Sequence, residues 1–147
     1  MQIPEFYFPE HFDKECNCGS LIAIEELKSI PFKFKRVYFI YGVGEDVIRG
    51  KHAHIFSTQL LICVHGSCEI TLDNGKKRKT IILDSPNRGI LQKNMIWGEM
   101  KNFSKDCVLM VLSNELYNED EYIRDYKEFQ RLLKQSEHNC EYEYCAL

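Results

Sequence analysis

The segment Arg49-Gly50-Lys51-His52-Ala53-His54 is the grouping in this chain best suited to chemistry. On a β-strand, side chains two apart point to the same face, so His52 and His54 would look into one pocket. Two imidazoles facing an apolar interior need partners, which makes them metal ligands, proton-transfer groups or hydrogen-bonded core residues. As proton-transfer groups they suit tautomerisation, in which an imidazole removes a proton beside a carbonyl and returns it one carbon away. Such a base contributes about a hundredfold to ten-thousandfold in rate, so donors must also steady the enolate oxygen that develops. Arg36, Tyr38 and Arg49 are the candidates.

A His-x-His pair on a strand can also begin a metal site. Here the rest of the ligand set is missing: Gln59 stands where a carboxylate is wanted, and Gly98 precedes Glu99, the one candidate third ligand. Two imidazoles without a dependable third anion hold zinc or iron poorly, so neither a metal nor another cofactor is expected. Arg49 and Arg88 suit a diphosphate, because a guanidinium fork matches two oxygens at once. There is no glycine-rich phosphate loop leading into a helix, so a nucleotide would be held by side chains and strand edges. Trp97, the only tryptophan, could stack on a base or sugar or fill a core or dimer contact.

Strands must position these groups. Leu21 to Ile24, Lys35 to Tyr41, Gln59 to Val64, Glu69 to Leu72, Lys79 to Leu83, Gly89 to Gln92 and Cys107 to Leu112 are rich in β-branched and aromatic residues. Asn74-Gly75 suits a tight hairpin between the fourth and fifth of these. Along Lys35 to Tyr41, Arg36, Tyr38 and Ile40 alternate with Val37, Phe39 and Tyr41. Only one set can face the pocket, and an arginine with a tyrosine favours the first. The series predicts an all-β sandwich or barrel. Tyr122, Tyr126, Phe129 and Leu133 fall at helical spacing and predict one C-terminal helix over Glu119 to Lys134. The expected organisation is one domain, residues 1–134, and a polar tail, 135–147, containing Cys140 and Cys145.

With 147 residues and 44% hydrophobic content, the chain can build one core. A net charge of −3 gives no basic field for nucleic acid. The apolar run around Leu60 to Val64 is far too short for a membrane helix. Seven scattered cysteines and no signal-like opening segment point to reduced thiols and a cytoplasmic location.

Several segments taken together resemble the thymidine-diphosphate-sugar 3,4-ketoisomerases. They are Gly19 to Glu25, Lys35-Arg36-Val37-Tyr38, Arg49 to His54, Asp84-Ser85-Pro86, Trp97-x-Glu99-Met100 and Tyr122 to Tyr126, in that order from about Gly19 to Phe129. The resemblance implies a cupin jelly roll, a homodimer with exchanged N-terminal strands, and metal-free conversion of a thymidine-diphosphate-linked 4-keto-6-deoxyglucose into a 3-keto-6-deoxyhexose. The product would feed 3-amino-sugar synthesis for bacterial surface glycans. It further implies that His52 is the base, His54 its partner and Tyr38 a donor near the enediol, with Arg36 and Arg49 on phosphate or sugar oxygens. Gln59, Arg88, Trp97 and Glu99 complete the expected substrate contacts. Gly98 and Gly89-Ile90-Leu91 depart from the family pattern on the far wall of the pocket. A metal-dependent cupin enzyme, an epimerase-like enzyme and a non-catalytic sugar-nucleotide binder are the alternatives.

Overall fold

The computed structural model describes residues 1–144, with side chains described through residue 138. Its strands are β1 (Glu5–Tyr7), β2 (His11–Phe12), β3 (Ser20–Leu21), β4 (Arg36–Tyr41), β5 (Arg49–His54), β6 (Gln59–His65), β7 (Cys68–Asp73), β8 (Arg78–Leu83), β9 (Arg88–Gln92), β10 (Trp97–Lys101), β11 (Val108–Ser113) and β12 (Tyr122–Ile123). A single helix, α1 (Tyr126–Tyr144), follows. Two five-stranded sheets, ordered β1-β9-β6-β11-β4 and β12-β5-β10-β7-β8, face each other with every pairing antiparallel. This is the expected jelly roll.

The main core lies between the sheets and includes Leu61, Cys63, Ile70, Leu83, Ile90, Leu109 and Val111. A second cluster, with Leu60, Ile62 and Leu112, lies on the outer face of the first sheet under Phe8, Ile30 and their neighbours. The central strand β6 is therefore buried on both faces, which explains its unbroken apolar run. Phe129 and Trp97 seat α1 on the outside of the second sheet.

The hairpin partners β7 and β8 pair as expected, Asp73 opposite Arg78, but across a four-residue loop rather than a two-residue one. Asn74 Oδ1 accepts from the N–H groups of Lys76 and Lys77, and the side-chain cap widens the turn. Of the strand expected over Leu21 to Ile24, only Ser20–Leu21 pairs; Ile22 and Ile24 instead pack against the second cluster. The C-terminal region differs most. Glu119–Glu121 forms a 3-10 turn, Tyr122–Ile123 pairs with β5, and the helix starts only at Tyr126 behind Asp125, whose carboxylate accepts from the Glu128 N–H. Pairing with the open edge of β5 overrides the helical spacing of Tyr122. The helix then runs through residues 135–144, where a tail was expected, while Cys145 lies outside the described residues.

One irregularity controls the site. Gly98 pairs with His52 and Glu99 with Gly50, so Lys51 is the extra residue of a β-bulge. Gly50 (φ 81°) and Lys51 (φ 55°) both take left-handed conformations. The bulge shifts the alternation by one, and Arg49, three residues before His52, comes to the same side as that histidine. At Gly50 a Cβ would stand 2.7 Å from the Gly98 carbonyl oxygen. Gly50→Ala is expected to cost about 1–3 kcal/mol in urea unfolding, and to lower activity by moving His52; an unchanged midpoint would remove the bulge from this role.

Candidate active site

At one end of the space between the sheets, a cleft of about 330 Å³ is lined by Arg36, Tyr38 and Ile40 of β4, Arg49 and His52 of β5, and Met100 of β10, with Tyr117, Tyr122 and Arg124 closing it. Its size suits a small polar ligand such as a sugar. Arg36, Tyr38 and Ile40 face in while Val37, Phe39 and Tyr41 stay exposed, which settles the choice between the two faces of β4.

His52 is half-buried at the wall of the cleft and His54 is buried behind it. His52 Nδ1 lies 3.0 Å from the Gly50 carbonyl oxygen, the two Nε2 atoms are 3.2 Å apart, and His54 Nδ1 is 3.2 Å from Glu121 Oε1. Glu121 is buried and accepts four hydrogen bonds: from His54, from the Ser57 hydroxyl, and from the N–H groups of Phe56 and Ser57. Burial pushes its pKa up, but the Ser57, Phe56 and His54 contacts outweigh that and hold the carboxyl below its ordinary range.

The row from Gly50 through His52 and His54 to Glu121 has three contacts and needs a proton in each. With Glu121 ionised, two neutral imidazoles bring only two. Burial lowers the pKa of both histidines, His54 to about 4, with His52 adding to the effect on His54. The resting row is thus neutral at both rings and one proton short, the condition of a base waiting for a substrate proton.

Tyr38 Oη donates to Gln59 Oε1 at 3.1 Å, and burial raises its pKa to about 12, so it remains a donor. Gln59 Nε2 and Arg36 Nε are buried and have no hydrogen-bond partner among the described residues. Arg36 stacks over Tyr38 and Tyr117, and Arg124 over Tyr122, so the aromatic rings aim two of the three guanidinium groups at the cleft.

Residues 5–134 match the family described as FdtA: WxcM-like, C-terminal. The chain belongs to this family. It is 47% identical over 115 residues to TDP-4-oxo-6-deoxy-alpha-D-glucose-3,4-oxoisomerase of Aneurinibacillus thermoaerophilus, covering 78% of this chain and 83% of that one. A 3,4-ketoisomerase from Helicobacter canadensis superposes with a TM-score of 0.85 at 47% identity, over 91% of this chain and 98% of the other. A mutant of the sugar 3,4-ketoisomerase from Thermoanaerobacterium thermosaccharolyticum, in complex with TDP-4-keto-6-deoxyglucose, also superposes at 0.85, with 38% identity over 90% and 94% of the two chains. With these relatives at 38–47% identity, the chain is a sugar 3,4-ketoisomerase.

The structure brings His52, Tyr38, Arg36 and Arg49 together in the cleft, with His54 and Gln59 hydrogen-bonded behind them, and leaves three of the expected contact residues elsewhere. Trp97 and Glu99 lie on the other face of β10 from Gly98 and Met100. The indole N–H donates to Glu99, and the ring packs on Tyr126 and Phe129 under α1. Arg88 is on β9, paired with Glu5 and bonded to the Ile82 carbonyl. Gly98 leaves room that the Gln92 side chain fills. Sequence reasoning missed Glu121, Ser57, Tyr117, Tyr122 and Arg124. Tyr122 and Arg124 are two apart, a strand signal that the helical reading of this region concealed.

Glu121→Gln is expected to lower kcat about 10–100-fold with little change in KM, as loss of an ordering partner of a metal-site or catalytic histidine does; loss confined to KM would contradict a positioning role. The depressed histidine pKa values also carry a stability consequence. An unfolded histidine takes up its proton near 6.5, whereas buried His54 resists until about 4. Acidification through that window therefore favours the unfolded chain. The urea midpoint should fall from pH 6.5 towards 4, and fall less steeply in His54→Asn; equal slopes would place the linkage elsewhere.

Proposed function

We propose that the chain converts TDP-4-keto-6-deoxyglucose into a TDP-3-keto-6-deoxyhexose, with His52 as the base. The observation that carries this reading is the proton-deficient His52, His54 and Glu121 row opening onto a cleft that also holds Tyr38 and three arginines. The hydrogen on sugar carbon 3 is acidic because it lies beside the carbonyl at carbon 4. His52 Nε2 takes that proton, the C–H electron pair becomes the carbon 3–carbon 4 double bond, and the former carbonyl oxygen becomes an enolate. Tyr38 and Arg36 supply hydrogen bonds to the developing charge.

The acquired proton completes the row, shared between His52 and His54 with Gly50 and Glu121 satisfied at its two ends. Transfer of the carbon 3 hydroxyl proton to the enolate oxygen on carbon 4, and return of a proton from the row to carbon 4, then leave a hydroxyl on carbon 4 and the carbonyl on carbon 3. No electron leaves the sugar, so the reaction balances without a redox partner. Arg49 and Arg124 also line the cleft, and guanidinium groups there suit a diphosphate.

We assign the working form to a homodimer with exchanged N-terminal strands. Val37, Phe39 and Tyr41 are exposed on β4, which ends its sheet, and Tyr7, Phe12 and Leu21 of the N-terminal strands are exposed as well. Apolar side chains beside an unpaired strand edge favour a second copy. The described residues contain no helix long and apolar enough to cross a membrane. The reading places the enzyme in the cytoplasm, supplying 3-keto sugars for amination and use in surface glycans.

In deuterium oxide, proton NMR of the chelator-treated protein with TDP-4-keto-6-deoxyglucose should reveal a 3-keto product carrying deuterium at carbon 4; unchanged substrate would refute this substrate assignment. His52→Asn should fold normally and lose about 10²–10⁴ in turnover, and full activity would exclude it as base. Sedimentation at micromolar concentration should return the mass of two chains, whereas a single-chain mass would remove the dimer.

A further inference from the structure

Away from the catalytic cleft, three cysteines meet inside the barrel. Cys63 lies on β6 four residues beyond Gln59, about 13 Å along the strand, Cys68 opens β7, and Cys107 immediately precedes β11. All three are buried and free, and their sulfur atoms lie within 4.8 Å of one another, Cys63 and Cys107 at 3.6 Å. Two interlocked turns flank Cys68 and Cys107. The Ser67 N–H donates to Ser104 Oγ, the Ser104 N–H donates to the Ser67 carbonyl, and the Cys107 N–H donates to the Ser104 carbonyl. The strands and these turns hold three soft donors in place before any ligand arrives.

We propose that Cys63, Cys68 and Cys107 form a binding site for a trivalent thiophilic ion, with arsenic(III) as the defining case. Sulfur donors select thiophilic ions over hard cations. Tetrahedral structural zinc needs four ligands, and no fourth histidine, cysteine or carboxylate joins the cluster among the described residues. Charge separates the remaining ions. The acidic groups whose fields reach the thiols are Asp84 and Asp106, and the nearby His65 imidazole is exposed and paired with Asp106. Three thiolates around a monovalent or divalent ion would leave a net negative cluster in an apolar core, which is costly without a cation.

A trivalent ion leaves none. Arsenous acid, As(OH)₃, and three thiols give As(S-Cys)₃ and three waters. Three As–O and three S–H bonds break, three As–S and three O–H bonds form, and no oxidation state changes.

The test uses the full chain with Cys16, Cys18, Cys140 and Cys145 all replaced by Ser, reduced and incubated with sodium arsenite. After desalting, one arsenic per chain should remain, with three sulfur neighbours by X-ray absorption and all three thiols blocked to alkylation. Cys68→Ala in that background, checked for folding by circular dichroism, should lose most of this retention. Wild-type protein loaded in the same way guards against a background that does not fold. It should retain an arsenic that Cys16→Ser and Cys18→Ser leave in place. Arsenic absent after desalting, bound through only two sulfurs, or retained equally by Cys68→Ala would overturn the proposal. So would stoichiometric zinc retention that arsenite fails to displace.

Discussion

A buried carboxylate without enough donors would unfold this part of the molecule or become neutral, and Glu121 does neither because four donors converge on it. Two are backbone N–H groups of the segment leaving β5, one is the Ser57 hydroxyl, and one is His54. The same anion therefore anchors the chain after β5 and fixes the tautomer of His54, with Nδ1 carrying the hydrogen. That leaves His54 Nε2 as an acceptor towards His52. The His52 ring at the cleft is ordered, through one intermediary, by a group that never reaches the cleft.

The electrostatics of the cleft differ from those of the whole chain. A net charge of −3 predicts nothing about the three guanidinium groups that gather at one mouth. They arrive from separate elements: Arg36 by alternation on β4, Arg49 through the bulge at Lys51, and Arg124 just after β12. Aromatic rings beneath Arg36 and Arg124 limit their freedom and reduce the ordering cost of binding an anion. The low pKa values of the histidines also become useful here. Burial, with smaller contributions from Arg124 on His52 and Arg36 on His54, favours the neutral imidazole, the form that can accept a proton.

Much of the frame was legible locally. Period-two alternation identified the inward face of β4, the apolar run identified a central strand, and His52 and His54 were correctly placed on one face because the bulge lies before both. Arg49 reached the expected cleft for a reason not visible in the spacing: simple alternation would have turned it away from His52, and only the extra residue corrected the phase. Trp97 and Glu99 show the opposite case. Their alternation with Gly98 and Met100 is clear in sequence, but which pair faces inward depends on α1 covering the other side.

What the sequence determined by itself is the set of strands with strong β propensity, the histidine pair and the chemistry two imidazoles can perform, because these depend on residue type and near-neighbour spacing. Tertiary structure decided the fate of Glu119 to Arg124. Local spacing there favoured a helix, but the unpaired edge of β5 offered backbone hydrogen bonds to Tyr122 and Ile123, and that pairing brings Glu121 beneath His54. A contact spanning 67 residues leaves no periodic trace in a single chain. It exists only because two distant strands lie side by side.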